Sequence, residues 1–118
     1  MRSAHAPQLA HAPRTYNLGP VDRIPLGEGR SFAIEGRIVA VFRTRAGAVY
    51  ATQGECPHKK GPLADGIVAG TRVVCPLHAQ AFDLATGAPV GPVAHACSVL
   101  RTYALSFNSE GELLLEWT

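Results

Sequence analysis

Short apolar runs separated by turn-forming residues predict strands rather than helices along most of this chain. The clearest signal is a strand over residues 31–35, a turn at Gly36 and a second strand over residues 37–44. Residues 45–47 predict another turn, after which residues 48–52 return as a partner strand. Together these segments predict an antiparallel sheet built from neighbouring strands.

The second half of the chain repeats this pattern with shorter strands. The predicted strands are residues 67–69, 72–74, 81–84, 101–107 and 112–117, with turns at 70–71, 85–87 and 108–111. No segment has both the length and the 3.6-residue period of a helix. The fold class predicted is therefore all-β, as an antiparallel sandwich or small barrel.

Composition agrees with one globular domain of modest core size. Of the 118 residues, 47% are hydrophobic and 17% are charged, which is typical of a folded chain. The net charge of +2 is small and the arginines are scattered, so we expect neither a nucleic-acid partner nor binding to a membrane.

The first residues differ from the rest. Residues 1–14 repeat His-Ala-Pro and have little apolar surface, which predicts a flexible arm preceding a domain over residues 15–118. His5 and His11 are expected to be solvated. The start lacks the apolar stretch of a secretory signal, and no segment approaches a membrane span, so we expect a cytoplasmic protein.

Two short motifs carry the candidate chemistry. They are Cys56-Pro57-His58 and, after 16 intervening residues, Cys75-Pro76-Leu77-His78. Each motif pairs one thiolate with one imidazole. Two sulfurs and two nitrogens can hold zinc, although zinc sites usually place two to four residues between paired cysteines. The same set suits a [2Fe–2S] centre with two cysteines on one iron and two histidines on the other.

The pattern C-x-H … C-x-x-H resembles the Rieske signature, and its flanks strengthen the resemblance. Residues 55–66 and 74–87 are similar to the two cluster loops of Rieske ferredoxins and of the small subunit of NAD(P)H-dependent nitrite reductase. The resemblance implies a Rieske fold with an inserted cluster-binding lobe and a [2Fe–2S] cofactor. It also implies that Cys56 and Cys75 bind the inner iron and that His58 and His78 bind the outer iron.

Several neighbouring residues are interpreted less specifically. Cys97 has no partner motif and is expected to be a core thiol, and His95 an ordinary loop residue. The resemblance places Pro92 in a segment that covers the cluster. Lys59 and Lys60 are candidates for steering an acidic partner.

The chain also departs from the Rieske proteins of respiratory bc complexes. The extra cysteines of those proteins are replaced here by residues such as Lys60 or Gly61 and by Leu77. Around the second motif, Ala79, Gln80 and Ala81 supply no hydroxyl group to hydrogen-bond the sulfurs. These departures resemble the ferredoxin-like branch and predict a low reduction potential.

Three functions remain open from the sequence. The first preference is the small subunit of a nitrite reductase, with the large subunit as its redox partner, supported by residues 56–66, 16–20 and 100–103. The alternative is a free-standing Rieske ferredoxin that connects a reductase to an oxygenase. The remote alternative is a zinc-stabilised, non-redox interaction module. Under either leading interpretation the chain transfers electrons and is not a complete enzyme by itself.

Overall fold

The molecule is built almost entirely from short β-strands. The structure is a computed structural model that describes residues 14–57, 60–77, 79–91 and 98–117. Within these ranges the strands are β1 Arg14–Pro20, β2 Glu28–Ile34, β3 Arg37–Arg43, β4 Val49–Gln53, β5 Ile67–Ala69, β6 Arg72–Val74, β7 Ala81–Asp83, β8 Pro89–Val90, β9 Thr102–Tyr103, β10 Leu105–Phe107 and β11 Glu112–Trp117. Two single-turn 3₁₀ helices, Val21–Arg23 and Leu63–Asp65, complete the described elements.

The strands form three antiparallel sheets. Their orders are β1-β11-β10, β2-β3-β4-β9 and β5-β6-β7-β8. The all-β class is confirmed, and the third sheet corresponds to the lobe that was predicted to be inserted between strands of the frame.

Strand β3 separates two hydrophobic cores because it is buried on both faces. Its alternate residues Val39 and Val41 pack into a base core, while Ala40 and Phe42 pack into a lobe core. The base core comprises Leu18, Ile24, Ile34, Val39, Val41, Ala51, Leu113, Leu115 and Trp117. The lobe core comprises Ala40, Phe42, Cys56, Leu63, Ala64, Val68, Val73, Cys75, Phe82, Leu84 and Leu100.

The predicted hairpins are confirmed, with small shifts at their ends. β2 and β3 are joined by Glu35 and Gly36, whose φ values of 51° and 81° suit the two central residues of a type I′ turn. β5 and β6 have the predicted bounds and turn at Gly70 and Thr71.

Strand β1 was not predicted, because its sequence contains residues that disfavour strands. Gly19 and Pro20 end the strand, and the register with β11 shifts between Asn17 and Gly19. The Asn17 side-chain oxygen accepts a 2.7 Å hydrogen bond from the Gly19 amide and supports this irregularity. Pairing with β11, which is distant in sequence, stabilises the strand.

The single strand predicted over residues 101–107 is wrong, since the chain divides there between two sheets. β9 pairs with β4, whereas β10 pairs with β11. Ala104 lies between them, and its carbonyl accepts a 3.0 Å hydrogen bond from the Glu116 amide. β8 was also missed, because the Pro- and Gly-rich sequence of residues 89–92 indicated only a loop.

The predicted arm, residues 1–14, lies outside the described residues except for Arg14, which begins β1. Its boundary with the domain therefore stays a prediction. In the described ranges, no helix combines the length and the apolar character needed to cross a membrane.

Candidate metal centre

The first predicted ligand loop leaves the end of β4 and closes on Cys56. The Cys56 carbonyl accepts a 2.7 Å hydrogen bond from the Lys60 amide, and the Cys56 amide donates a 2.9 Å hydrogen bond to the Gly61 carbonyl. Lys60 has a φ of 58°, so the chain reverses at this residue. Beyond the loop, the Leu63 amide donates a 2.9 Å hydrogen bond to the Gly54 carbonyl and ties the loop ends together.

The second predicted ligand loop repeats this geometry after β6. The Cys75 carbonyl accepts a 3.1 Å hydrogen bond from the Ala79 amide, and the Cys75 amide donates a 2.8 Å hydrogen bond to the Gln80 carbonyl. Ala79 has a φ of 61°, which matches that of Lys60 in the first loop. In both loops, therefore, the chain reverses at the fourth residue after the cysteine. The carbonyl of the fifth residue accepts a hydrogen bond from the cysteine amide.

This structural repeat was not predicted from the sequence. The available signal was the Cys-Pro pair that opens each loop, because proline restricts the backbone in the same way at both places. The residues that reverse the chain, lysine and alanine, share no preference for a left-handed conformation. The hydrogen bonds to each cysteine and the matching φ values of Lys60 and Ala79 reveal that the loops are built alike.

The structure brings the two cysteines into one buried region. Cys56 and Cys75 are 0% and 2% exposed, and both belong to the lobe core. The loops touch at Gly61, where an added Cβ would lie 3.3 Å from the Cys75 sulfur. Cys56 and Cys75 are far apart in sequence but lie on neighbouring loops.

The remaining strands of the lobe hold the second loop in place. The buried Gln80 side chain donates 2.9 Å hydrogen bonds to the carbonyls of Ala81 and Val90, connecting the loop to β7 and β8. A cleft of about 480 Å³ runs beside Cys75 and is lined mainly by apolar residues, with Asp65 as the charged member. The other lining residues are Gly66, Ile67, Val74, Pro76, Leu77 and Ala79.

The described groups with shifted pKa values belong to the β1–β11–β10 sheet, away from these loops. A hydrogen bond to the Glu35 carboxylate raises the pKa of Tyr16. Hydrogen bonds from Asn17 and Asn108 lower the pKa of Glu112. Both groups lie on strands β1 and β11, and neither belongs to the two cysteine loops.

The two predicted ligands that the structure describes, Cys56 and Cys75, fit an iron–sulfur cluster. Cysteine thiolates are the characteristic ligands of such clusters, and here two cysteine side chains belong to the same largely apolar core. His58 and His78 lie outside the described residues, as do Lys59, Pro92, His95 and Cys97. Across the described ranges no group of three or more His, Cys, Asp or Glu side chains converges, so the complete ligand set stays a prediction.

The described chain is a small all-β domain with two buried thiols on similarly built loops. The chain belongs to the Rieske [2Fe–2S] domain family, whose model matches residues 14–104. Membership in this family implies a [2Fe–2S] cluster as the cofactor and one-electron transfer as the role of the domain.

Three similar proteins show the range of this resemblance. The ferredoxin component of a naphthalene 1,2-dioxygenase system from Pseudomonas aeruginosa is 32% identical over 88 residues, covering 74% of this chain and 81% of its own. The ferredoxin of carbazole 1,9a-dioxygenase from Nocardioides aromaticivorans IC177 superposes with a TM-score of 0.76 at 27% identity, covering 86% and 95% of the two chains. A protein described as an NADH-dependent nitrite reductase small subunit from Mycobacterium tuberculosis superposes with a TM-score of 0.79 at 23% identity, covering 91% of this chain and 97% of its own.

Proposed function

We propose that this chain is the ferredoxin component of an oxygenase system and carries single electrons from a reductase to the oxygenase. The observation that carries electron transfer is the burial of Cys56 and Cys75 in the same core, on two similarly built loops. The choice of a ferredoxin is supported by the 32% identity with a dioxygenase ferredoxin along 81% of that protein's length.

The small subunit of a nitrite reductase is the second candidate, and it was preferred from the sequence. It is supported by the TM-score of 0.79 with a protein of that description. At 23% identity this likeness concerns the fold alone, but a second solved protein, described as the small subunit of an NADPH nitrite reductase, is 26% identical with a TM-score of 0.74 over 86% of this chain. Similarity to solved structures supports both candidates, whereas similarity among curated relatives favours the ferredoxin.

The proposed ligands are those that the sequence predicted. Cys56 and Cys75 would bind one iron as thiolates, and His58 and His78 would bind the other. When bound, a cluster with this ligand set takes up and releases one electron at a higher potential than a four-cysteine cluster, since its oxidised form carries no net charge. The chain's contribution is to bury the two thiols and to hold their loops in a fixed conformation.

The potential is expected near the low end of the Rieske range, on the order of −150 mV. Ala79 and Ala81 carry no hydroxyl, so neither side chain donates a hydrogen bond that would stabilise the reduced cluster. Voltammetry at neutral pH measures this potential. A midpoint clearly above zero would show that other donors reach the sulfurs.

Metal analysis after anaerobic purification tests the ligand set. The protein should contain about two irons and two acid-labile sulfides per chain, and its reduced form should give a Rieske-type paramagnetic signal. Cys56→Ser and Cys75→Ser should each abolish the signal. Cys97→Ser is the matched control and should keep it. Stoichiometric zinc without sulfide would contradict the assignment and favour the zinc-stabilised module.

Reconstitution with redox partners separates the two candidate functions. One mixture contains the reductase and oxygenase of a naphthalene dioxygenase system, and the other contains the large subunit of an NADH-dependent nitrite reductase. Oxygenase turnover that requires this chain, without an effect on nitrite reduction, supports the ferredoxin. The reverse result overturns the proposal in favour of the nitrite reductase subunit. A Cys75→Ser sample in each mixture controls for electron transfer that bypasses the chain.

A further inference from the structure

Leu77 of the second loop lies directly over Gly61 of the first. A Cβ added at Gly61 would be 2.8 Å from Leu77 Cγ and 3.0 Å from Leu77 Cδ1, far inside normal contact distance. The Cys75 sulfur lies 3.3 Å from the same point. Leu77, the Gly61 backbone and the Cys75 sulfur therefore meet at one place, which we call the inter-loop contact.

The small size of Gly61, rather than its backbone freedom, permits this contact. Gly61 is absent from the described glycines with positive φ, so an alanine could adopt its backbone conformation. What an alanine could not do is leave room for Leu77, because its methyl group would occupy space that the leucine already fills. Glycine at position 61 is thus explained by packing.

The inter-loop contact reaches both predicted cysteine ligands. On one side, the Gly61 carbonyl accepts the 2.9 Å hydrogen bond from the Cys56 amide, so a displacement of Gly61 displaces Cys56. On the other side, Leu77 follows Cys75 by two residues, and the Leu77 side chain and the Cys75 sulfur both lie within 3.3 Å of the point that a Gly61 Cβ would occupy. Cys75 is only 2% exposed, whereas Leu77 is 61% exposed and therefore lies between this part of the lobe core and solvent.

We infer that Leu77 is a positioning residue that sets the spacing of the two loops and keeps water from the Cys75 sulfur. The inference rests on the proposed function only in taking Cys56 and Cys75 as cluster ligands. The apolar shell around a cluster controls solvent access and thereby its potential. Water that reaches a sulfur donates hydrogen bonds, which stabilise the reduced cluster and raise the potential.

Truncation of Leu77 is the direct experiment. In Leu77→Ala, the midpoint potential should move in the positive direction, and the visible absorbance should bleach severalfold faster in an iron chelator under argon. Leu77→Met should behave like the unaltered protein, because methionine can fill the same space. Leu26→Ala is the matched control, since Leu26 is similarly exposed at 50% and lies outside the cluster loops.

A double-mutant cycle tests whether Leu77 acts through Gly61. Gly61→Ala forces Leu77 aside and should also speed bleaching, whereas in Gly61→Ala with Leu77→Ala the new methyl group meets no leucine. The double variant should therefore bleach more slowly than the product of the two single effects predicts. Effects that multiply would show that the two residues act independently and would overturn the inference.

The outcomes for the inference and for the proposed function are distinguishable. If the unaltered protein lacks iron and sulfide, the cluster assignment fails first. If it holds the cluster, and Leu77→Ala matches Leu26→Ala in both potential and bleaching rate, the cluster assignment stands and the positioning role of Leu77 is wrong. Far-ultraviolet circular dichroism of each variant checks that the β-structure is retained.

Discussion

Gly87 shows how a single residue fixes the position of a distant segment, the one that carries the lobe-core residue Leu100. Its φ of 80° lies in the left-handed region, and its amide donates a 2.7 Å hydrogen bond to the Asp83 carbonyl. A Cβ at this position would lie 2.2 Å from the Leu100 carbonyl oxygen. The same backbone contact includes a 2.8 Å hydrogen bond from the Leu100 amide to the Gly87 carbonyl.

Replacing Gly87 with alanine should therefore be much more costly than replacing Gly70. Gly70 also has a positive φ, 60°, but a Cβ added there would point into open space. Gly70→Ala should lower the free energy of unfolding by about 1 kcal/mol through backbone strain alone. Gly87→Ala adds a clash with backbone and should cost more than about 3 kcal/mol. Urea denaturation measures both, and equal losses would refute the role given to the Leu100 contact.

Glu112, the first residue of β11, connects three segments of the chain through its carboxylate. It accepts hydrogen bonds of 3.0 Å from Asn17 and 2.9 Å from Asn108, and these lower its pKa. Because the folded pKa lies below the unfolded value, the ionised carboxylate stabilises the fold above the unfolded pKa. That stabilisation is lost as the pH falls through the folded pKa.

We expect the Glu112 carboxyl to titrate below its ordinary value of 4.5 in a carbon-13 NMR experiment. Glu112→Gln should reduce the loss of unfolding free energy on acidification below that pH, since an amide cannot be protonated there. Glu116→Gln, on the same strand, serves as the control. A Glu112 midpoint at or above 4.5 would contradict the effect of the two asparagines.

Among the elements, β11 is the strand on which the base depends. It pairs with β1 on one side and β10 on the other. Its alternate residues Leu113, Leu115 and Trp117 are buried in the base core. The Trp117 ring stacks on Tyr103 of β9 with ring centroids 5.3 Å apart, which connects this sheet to its neighbour.

The alternation along β11 predicts opposite results for adjacent leucines. Leu115→Ala removes a fully buried side chain and should lower the free energy of unfolding by about 2–5 kcal/mol. Leu114 faces the other side of the sheet and is only half-buried. Leu114→Ala should therefore lower the free energy of unfolding by less than about 1.5 kcal/mol. Chemical denaturation of the two variants measures the difference. Similar losses would show that the strand is not buried on one face only.

At the scale of the whole molecule, the two cores give the base and the lobe different dependence on the cofactor. Cys56 and Cys75 belong to the lobe core, whereas the base core is formed by β1, β2, β3, β4 and β11 with their adjoining segments. Metal binding to residues of one core contributes folding free energy mainly to that core. The base has its own buried leucines and Trp117.

Loss of the cluster should therefore loosen the lobe and leave the base folded. In Cys56→Ser or Cys75→Ser, hydrogen-exchange protection should fall over residues 54–87 and persist in β1 and β11. Cys97→Ser should retain the protection of the unaltered protein. Uniform loss of protection along the chain would instead show that the two cores unfold as one unit.

The sequence by itself determined the features that depend on neighbouring residues. Alternating apolar residues and turn chemistry gave the hairpin of β5 and β6 and the bounds of β11. The paired Cys-Pro motifs indicated the Rieske family, which the comparison with the family model confirmed. These signals are local because strand periodicity, proline and glycine act within a few residues.

Only the tertiary structure decided which distant segments meet. β1 is a strand because β11 supplies hydrogen bonds that outweigh the unfavourable Gly19 and Pro20, and the chain divides at Ala104 because each half finds a different partner strand. Packing across the lobe also decides that the two cysteine loops share one conformation and that Leu77 contacts Gly61. Such contacts are non-local, so no pattern of adjacent residues records them.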